Sequence, residues 1–411
     1  MQKQTNIKNY LEGPEMTQLV VKAREIKNSG KIFSDIYDAK GCQYVDLVQE
    51  GGGVLGIALV GYTYILEQAG IRFYSLGGTS AGAINALFMA GMANIGEPVS
   101  MKILDALSQK NFFDFVDGPK RVKHLIQRKV EERGGLFWNL LFNSVTIYYQ
   151  LRYRLGLNPG EKLENWIDHH LREAGINSYA DLKQKRTLAS QLYHRENKPI
   201  SKPRLAIISS EITTHTKVDF PRMAHLYWKD VENIHPAQFV KASIAIPYFY
   251  YPFVKKDIPD AGTKSHKEWM TFAGYRGEVP PEVKFVDGGL LSNFPINIFH
   301  TKKIPSLPTF GVRLSVYREK YSSTSGAFSL GGAMISTMRQ IHDYDFLLRN
   351  PDYKQLICHI DADLQYNWLN FNMSFQDQQN LLLMGARKGL AFLQNFDWNA
   401  YKSVREKIQE C

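Results

Sequence analysis

The sequence predicts an α/β fold with a mainly parallel central sheet, and three stretches carry that prediction. From Ile71 to Met92 an apolar, aromatic-rich run (Ile71, Phe73, Tyr74, Leu76) ends at Gly77 and Gly78, and a helix-forming run begins at Ala81. Tyr44, Val45, Leu47 and Val48 make a short strand that passes through Gly51, Gly52 and Gly53 into an apolar helix from Gly56 to Ala69. Val283, Phe285 and Val286 form a third strand, which delivers Asp287 ahead of Gly288 and Gly289. Strands that run into helices through tight glycine turns are the pattern of an α/β sheet.

Size and charge set the frame. A chain of 411 residues with 44% hydrophobic residues can bury a sizeable core. Fifty Lys and Arg against 40 Asp and Glu leave +10, with a pI near 9.2, which suits an anionic partner such as a phospholipid surface or a nucleotide. Cys42, Cys358 and Cys411 are too few and too scattered for a disulfide framework or a metal cluster, so a reducing, cytoplasmic setting is expected. The opening residues are polar and lack the apolar centre of a secretion signal, and no run is long enough to span a bilayer.

In chain order, residues 1–40 read as an N-terminal extension with a helix from Thr17 to Asn28. In the glycine loop, Gly51, Gly53 and Gly56 match the spacing of a dinucleotide-binding turn, but the following strand runs into Ser80 where an acidic, ribose-gripping residue would be needed. Successive glycine amides at a helix N-terminus can instead donate to an oxyanion without side-chain obstruction. The expected donors are Gly51, Gly52 and Gly53, with Val54 as an addition. Loss of one such donor typically costs about 3 to 4 kcal/mol in the transition state.

Ser80 lies in Gly78-Thr79-Ser80-Ala81-Gly82, a G-x-S-x-G elbow. A serine on so sharp a turn is strained, and the positions two before and two after it must lack bulk, which Gly78 and Gly82 satisfy. Ser80 is therefore read as a nucleophile.

Residues 95–200 change in composition and read as a helical insertion. A basic amphipathic segment from Pro119 precedes an aromatic and aliphatic stretch from Leu136 that ends with Arg152 and Arg154. This is either a charged face beside a core helix or a lid that meets anionic lipid. His169 and His170, adjacent on a helix, are expected to point apart and make a poor metal pair. Strands return from Arg204, followed by a short helix and an aromatic loop (Tyr248, Phe249, Tyr250, Tyr251, Phe253) that is either core or pocket wall. Residues 255–282 read as a surface loop.

Asp287, at the end of its strand, stands where catalytic groups collect in α/β sheets and is read as the general base. Asn293 and Pro295 are expected to fix its loop. Residues 321–411 are mainly helical, and the amphipathic helix Ser374 to Gln394 is expected to pack against the sheet. The boundaries so read are 1–40, a catalytic unit over 41–320, and a C-terminal helical segment packed on it.

With glycine loop, elbow and Asp-Gly-Gly in this order, the chain resembles the patatin-like phospholipases, over roughly Tyr44 to Val316 and again near Gly385. The resemblance implies a three-layer α/β/α fold and a Ser-Asp dyad, here Ser80 and Asp287. It also implies hydrolysis of phospholipid and lysophospholipid acyl esters through an acyl-enzyme, with no metal or other cofactor. Its implied partners are the lipid substrate and, transiently, an anionic membrane surface, which makes the protein peripheral to the membrane; nucleic acid is not expected. Some bacterial relatives are antiphage effectors switched on by cyclic nucleotides, so a small-nucleotide or protein activator and an oligomer stay open. Relatives usually carry Lys or Arg before the loop's last glycine, whereas this chain has Leu55, so a lipid phosphate would have to be neutralised from elsewhere.

Two rivals stand beside this reading. An α/β-hydrolase triad would draw on His300, His342 or His359, which follow Asp287 in the required order. The other rival is a non-catalytic nucleotide-sensing or protein-binding module on the same scaffold. Acyl transfer, which shares the acyl-enzyme, is open too.

Overall fold

The computed structural model describes residues 7–129, 145–187, 191–316, 321 and 324–410. The aromatic stretch from Leu136 to Ser144 and Cys411 lie outside them. In chain order the described strands are β1 (Ile36–Asp38), β2 (Gln43–Gln49), β3 (Ile71–Thr79), β4 (Gly156–Asn158), β5 (Leu192–His194), β6 (Leu205–Glu211), β7 (Thr216–Phe220), β8 (Tyr248–Tyr250), β9 (Phe253–Lys256), β10 (Glu282–Asp287), β11 (Thr309–Arg313) and β12 (Ile357–His359). Ten of them form one sheet whose main path is β12-β11-β2-β3-β6-β10-β9, while β4 and β8 pair apart from it.

From β12 to β6 the path is parallel. Strands buried on both faces need near-continuous apolar runs, and β2 and β3 supply them with Val45, Leu47, Val48, Phe73, Tyr74 and Leu76. Successive residues of a strand face opposite sides, so β3 shows what covers each face. A side chain at Gly77 would press on Ile298 and Phe299, whereas one at Gly78 would collide with the backbone of Gly82, in the helix Ala81–Gly91. On the Gly77 side the long helix Ala327–Arg349 is tied down through Asp343, which accepts from Ser292 Oγ at 2.6 Å and from the Phe294 amide at 2.7 Å. The mainly parallel sheet is thus layered between helical elements, as expected.

β10 departs from the expectation. It runs antiparallel to β6, so the rule about carboxyl ends of parallel strands does not account for Asp287. Register does: Thr79 pairs with Ile208, and Asp287 pairs with Ser209, the next residue of the same strand. Ser80 and Asp287 therefore arrive on opposite sides of β6 at nearly the same height.

Three further elements differ from the sequence reading. Residues 255–282 contain a helix, Thr263–Ala273, because Trp269 is fully buried edge-on against Tyr227. The insertion is helical but also contributes β4, whose Asn158 donates its side-chain amide to the Phe249 carbonyl at 2.9 Å. The helix Phe375–Asn395 packs mainly on the helix Ile57–Gln68, backbone to backbone, where a Cβ at Gly385 would collide with the Ala58 carbonyl. Its Phe392 does reach the sheet, meeting Phe310 of β11 edge-on at 4.8 Å. No described helix is long and apolar enough to cross a membrane.

Candidate active site

Ser80 sits between β3 and the helix Ala81–Gly91 with φ of 52° and ψ of −118°. A non-glycine residue in that region is strained, and here the surroundings hold it there. Its N–H donates to Ser243 Oγ at 2.9 Å, and the Ser243 hydroxyl donates to the Ile208 carbonyl at 2.6 Å. A side chain at Gly82 would strike the Gln49 carbonyl, so both elbow glycines are required by close backbone packing.

Asp287 is anchored beside it. Its amide donates to the Ala245 carbonyl at 2.8 Å, and its Oδ1 accepts from the Gly289 amide at 2.7 Å. Gly288 passes so close to the Ile208 carbonyl that no side chain would fit. The Ser80 hydroxyl lies close enough to the Asp287 carboxylate to favour its charged form, and both residues are buried. Burial pushes the Asp287 carboxyl above its ordinary range, while the Arg339 guanidinium, the Ser80 hydroxyl and the Gly289 amide pull it back.

The glycine loop lies where expected, with a correction to its donors. A Cβ at Gly51 would stand 3.1 Å from Ser80 Cβ, so the loop abuts the nucleophile. The Gly51 amide, however, is spent on the Asn293 carbonyl at 3.0 Å, and the Val54 amide on the Trp368 carbonyl at 3.1 Å. An N–H already donating to a carbonyl cannot also serve an oxyanion. Among the described residues the Gly52 and Gly53 amides have no protein acceptor. Gly53 adopts φ of 53°, and a side chain there would collide with the Trp368 carbonyl.

Three residues at this site carried no sequence signal: Arg339 and Trp368 are brought in from distant parts of the chain, and Glu50, next to the glycine loop, finds its partners there. Arg339 donates to Asn293 Oδ1 at 3.0 Å and lies over the Trp368 ring at 5.6 Å. Glu50, fully buried, accepts from the Leu314 and Ser315 amides at 2.7 and 2.9 Å and pairs with Arg313 at 3.3 Å. Trp368 caps the glycine loop. Asn293 proves to be a tie between loops as well as a support for the Asp287 turn: its Nδ2 donates to the Gly51 carbonyl at 3.1 Å. Pro295 opens the short turn Ile296–Phe299.

Two cavities meet at the loop. One, a cleft of about 710 Å³ counted out into open solvent, is lined by Ser80 and Gly53 together with apolar side chains including Ile84, Phe88, Leu107, Phe115 and Trp166. Several of these come from the 95–200 insertion, and Tyr250 adds the aromatic loop to the same wall. The other, about 800 Å³, is polar and lies across Gly51 and Gly52, with Leu55, Arg313 and Arg339 on its walls. Arg339 thus brings a cation to the cavity where Leu55 offers none.

Among the described residues, no histidine lines the cavity that holds Ser80. His300 bonds the Tyr353 hydroxyl at 2.9 Å and packs edge-on against Phe346. The His342 side chain is outside the described residues. His169 and His170 do not point apart: both reach Glu173, at 3.4 and 3.1 Å, because the i+3 and i+4 positions bring one carboxylate under both rings.

A family model described as patatin-like phospholipase matches residues 47–300. The uncharacterized protein YqhO of Bacillus subtilis (strain 168) is 30% identical over 357 residues, which cover 86% of this chain and 100% of that protein. The crystal structure of VipD from Legionella pneumophila superposes with a TM-score of 0.41 at 14% identity, covering 89% of this chain and 71% of that one.

Proposed function

The chain belongs to the patatin-like phospholipase family, a lipase-type hydrolase class, and from that premise we propose that it cleaves fatty acyl esters of phospholipids and lysophospholipids through Ser80 and Asp287. The observation that carries the reading is the Ser80 hydroxyl, beside a buried carboxylate and opening onto an apolar cavity.

In this mechanism Asp287 takes the Ser80 proton as Oγ attacks the acyl carbonyl, and the Gly52 and Gly53 amides receive the oxyanion. The C–O bond to the glycerol side then breaks, and the departing alkoxide takes the proton back from Asp287. Water, deprotonated by Asp287, attacks the acyl-serine; the fatty acid leaves and Ser80 recovers its proton. A free aspartate, with a pKa near 3.9, is a weak base for this task. The burial that raises Asp287 strengthens it, and Arg339 limits the rise.

The strained Ser80 backbone supports a catalytic role over a purely binding one, since strain of this kind is held by dedicated packing. Among the described residues the cavity walls carry no histidine, which supports the dyad over a triad. We further propose that the protein works at the membrane surface; an activator, an oligomer and an effector role remain compatible with this chemistry. Mass spectrometry of lipid extracts after incubation with wild type, Ser80→Ala and Asp287→Asn tests the reading. Free fatty acid and lysolipid should accumulate with wild type alone, and product from Ser80→Ala at the wild-type rate would overturn it.

A further inference from the structure

Deepening the lipid-hydrolase reading and resting on it, we infer that the surface formed by residues 145–155 and the neighbouring basic helix Lys120–Lys129 is the face that docks on an anionic lipid bilayer. The helix Val145–Tyr149 is anchored through Ile147, which is fully buried, and Gln150 accepts from the Tyr251 hydroxyl at 2.7 Å. Around that anchor the large apolar and aromatic side chains turn outward. Val145 is 87% exposed, Tyr148 66%, Tyr149 53% and Tyr153 65%, and Leu155 closes the stretch at 45%. A soluble surface rarely concentrates five such residues within eleven positions without a partner.

Charge selects the partner. Neither the helix Lys120–Lys129 nor residues 145–158 contains an acidic residue. Exposed Lys120 and Arg121 on the helix stand with exposed Arg152 and Arg154, and Arg152 lies over the Tyr153 ring at 5.7 Å. Among the described residues, two carboxylates bordering the patch in sequence are already engaged: Asp114 pairs with Lys110 at 3.0 Å, and Asp117 accepts from the Gly160 and Lys162 amides at 3.0 and 3.1 Å. Glu161 begins the next helix. Tyrosines interleaved with arginines suit a membrane interface, where the rings enter the headgroup layer and the cations meet lipid phosphates.

Position argues for lipid over other polyanions. The stretch runs straight into β4, which pairs with β8, and Tyr250 of β8 forms part of the acyl cavity wall and donates to the Phe115 carbonyl at 3.2 Å. Phe115 lines the same cavity, shortly before the basic helix begins. Docking here sets the bilayer next to the compartment that receives its acyl chain.

Co-sedimentation of the full chain, carried in Ser80→Ala so that vesicles stay intact, tests this with phosphatidylcholine vesicles with and without phosphatidylglycerol. Pelleting should require phosphatidylglycerol and weaken with added salt. It should fall roughly 25-fold in Arg152→Gln/Arg154→Gln, two cations at about fivefold each. Tyr148→Ser/Tyr149→Ser/Tyr153→Ser should lose it as well, and both variants in the active chain should keep wild-type turnover of a water-soluble short-chain ester. Undiminished pelleting of either variant, pelleting indifferent to phosphatidylglycerol, or binding of a single-stranded RNA oligonucleotide in place of vesicles would overturn the assignment. So would loss of soluble-ester turnover in both variants, which would make the patch part of the site. Failure of the hydrolase reading shows separately, as a wild type that turns over no soluble ester.

Discussion

Asn293 and Gly51 exchange hydrogen bonds in both directions: the Gly51 amide donates to the Asn293 carbonyl at 3.0 Å, and Asn293 Nδ2 donates to the Gly51 carbonyl at 3.1 Å. This pair joins the turn that carries Asp287 to the loop that carries the free amides. Asn293→Ala keeps the backbone bond and removes the side-chain one, so the Gly51 carbonyl loses that donor and Arg339 loses its Asn293 acceptor. Such a loss costs about 1 to 3 kcal/mol. Turnover of a soluble ester should fall about tenfold to a hundredfold with a smaller change in KM, and steady-state kinetics beside a melting curve would separate that effect from unfolding.

Gly53→Ala and Gly385→Ala should both lower the melting temperature, for different reasons. At Gly53 the positive φ and the Trp368 carbonyl act together within the site, so activity should vanish with stability. At Gly385 the collision is with Ala58, between two helices, and the surviving folded fraction should keep its turnover per molecule. Each change should cost about 2 kcal/mol or more, read by chemical denaturation.

Asp287 must be ionised to act as the base, and its folded carboxyl lies above the ordinary range. The acidic limb of kcat/KM should therefore fall at a higher pH than an exposed aspartate would give. Arg339 is the main charge holding the carboxyl down, so Arg339→Gln should move that limb to higher pH still. An unchanged limb would leave Arg339 a structural role alone.

The same shift has a sign for stability. A carboxyl that holds its proton more tightly folded than unfolded costs stability once the pH rises above its unfolded pKa, and the cost is relieved as pH falls through the folded value. Asp287→Asn should therefore melt higher than wild type at neutral pH, with the gap closing as the solution is acidified. Paired melting curves across pH would check it.

Narrowing the apolar cavity should change chain-length preference without changing the chemistry. Leu107→Phe intrudes from the helix Ser100–Ser108, a wall remote in sequence from the dyad. Each methylene excluded forfeits about 0.8 kcal/mol of burial, roughly fourfold in kcat/KM. Long-chain esters should suffer and short-chain esters should not, as a series of chain lengths would reveal.

The three motifs were legible because each obeys a local rule. Ser80 needs small neighbours at Gly78 and Gly82, Asp287 needs glycines to turn beside it, and a row of glycines leaves amides uncovered. What the sequence hid depends on contacts between remote segments. The acceptors that occupy the Gly51 and Val54 amides come from Asn293 and Trp368, and the cation beside Asp287 comes from Arg339 on a helix with no motif. The antiparallel course of β10 was hidden for the same reason, since a six-residue strand reads alike in either direction. The helix Thr263–Ala273 was masked by flanking Pro and Gly, and only the burial of Trp269 accounts for it.

The central claim is that Ser80 is a nucleophile activated by Asp287. Labelling with a fluorophosphonate, followed by mapping of the modified peptide, tests it most directly. Wild type should carry the adduct on Ser80 alone, Ser80→Ala should carry none, and Asp287→Asn should label far more slowly. An adduct on another serine, or Asp287→Asn labelled as fast as wild type, would contradict it.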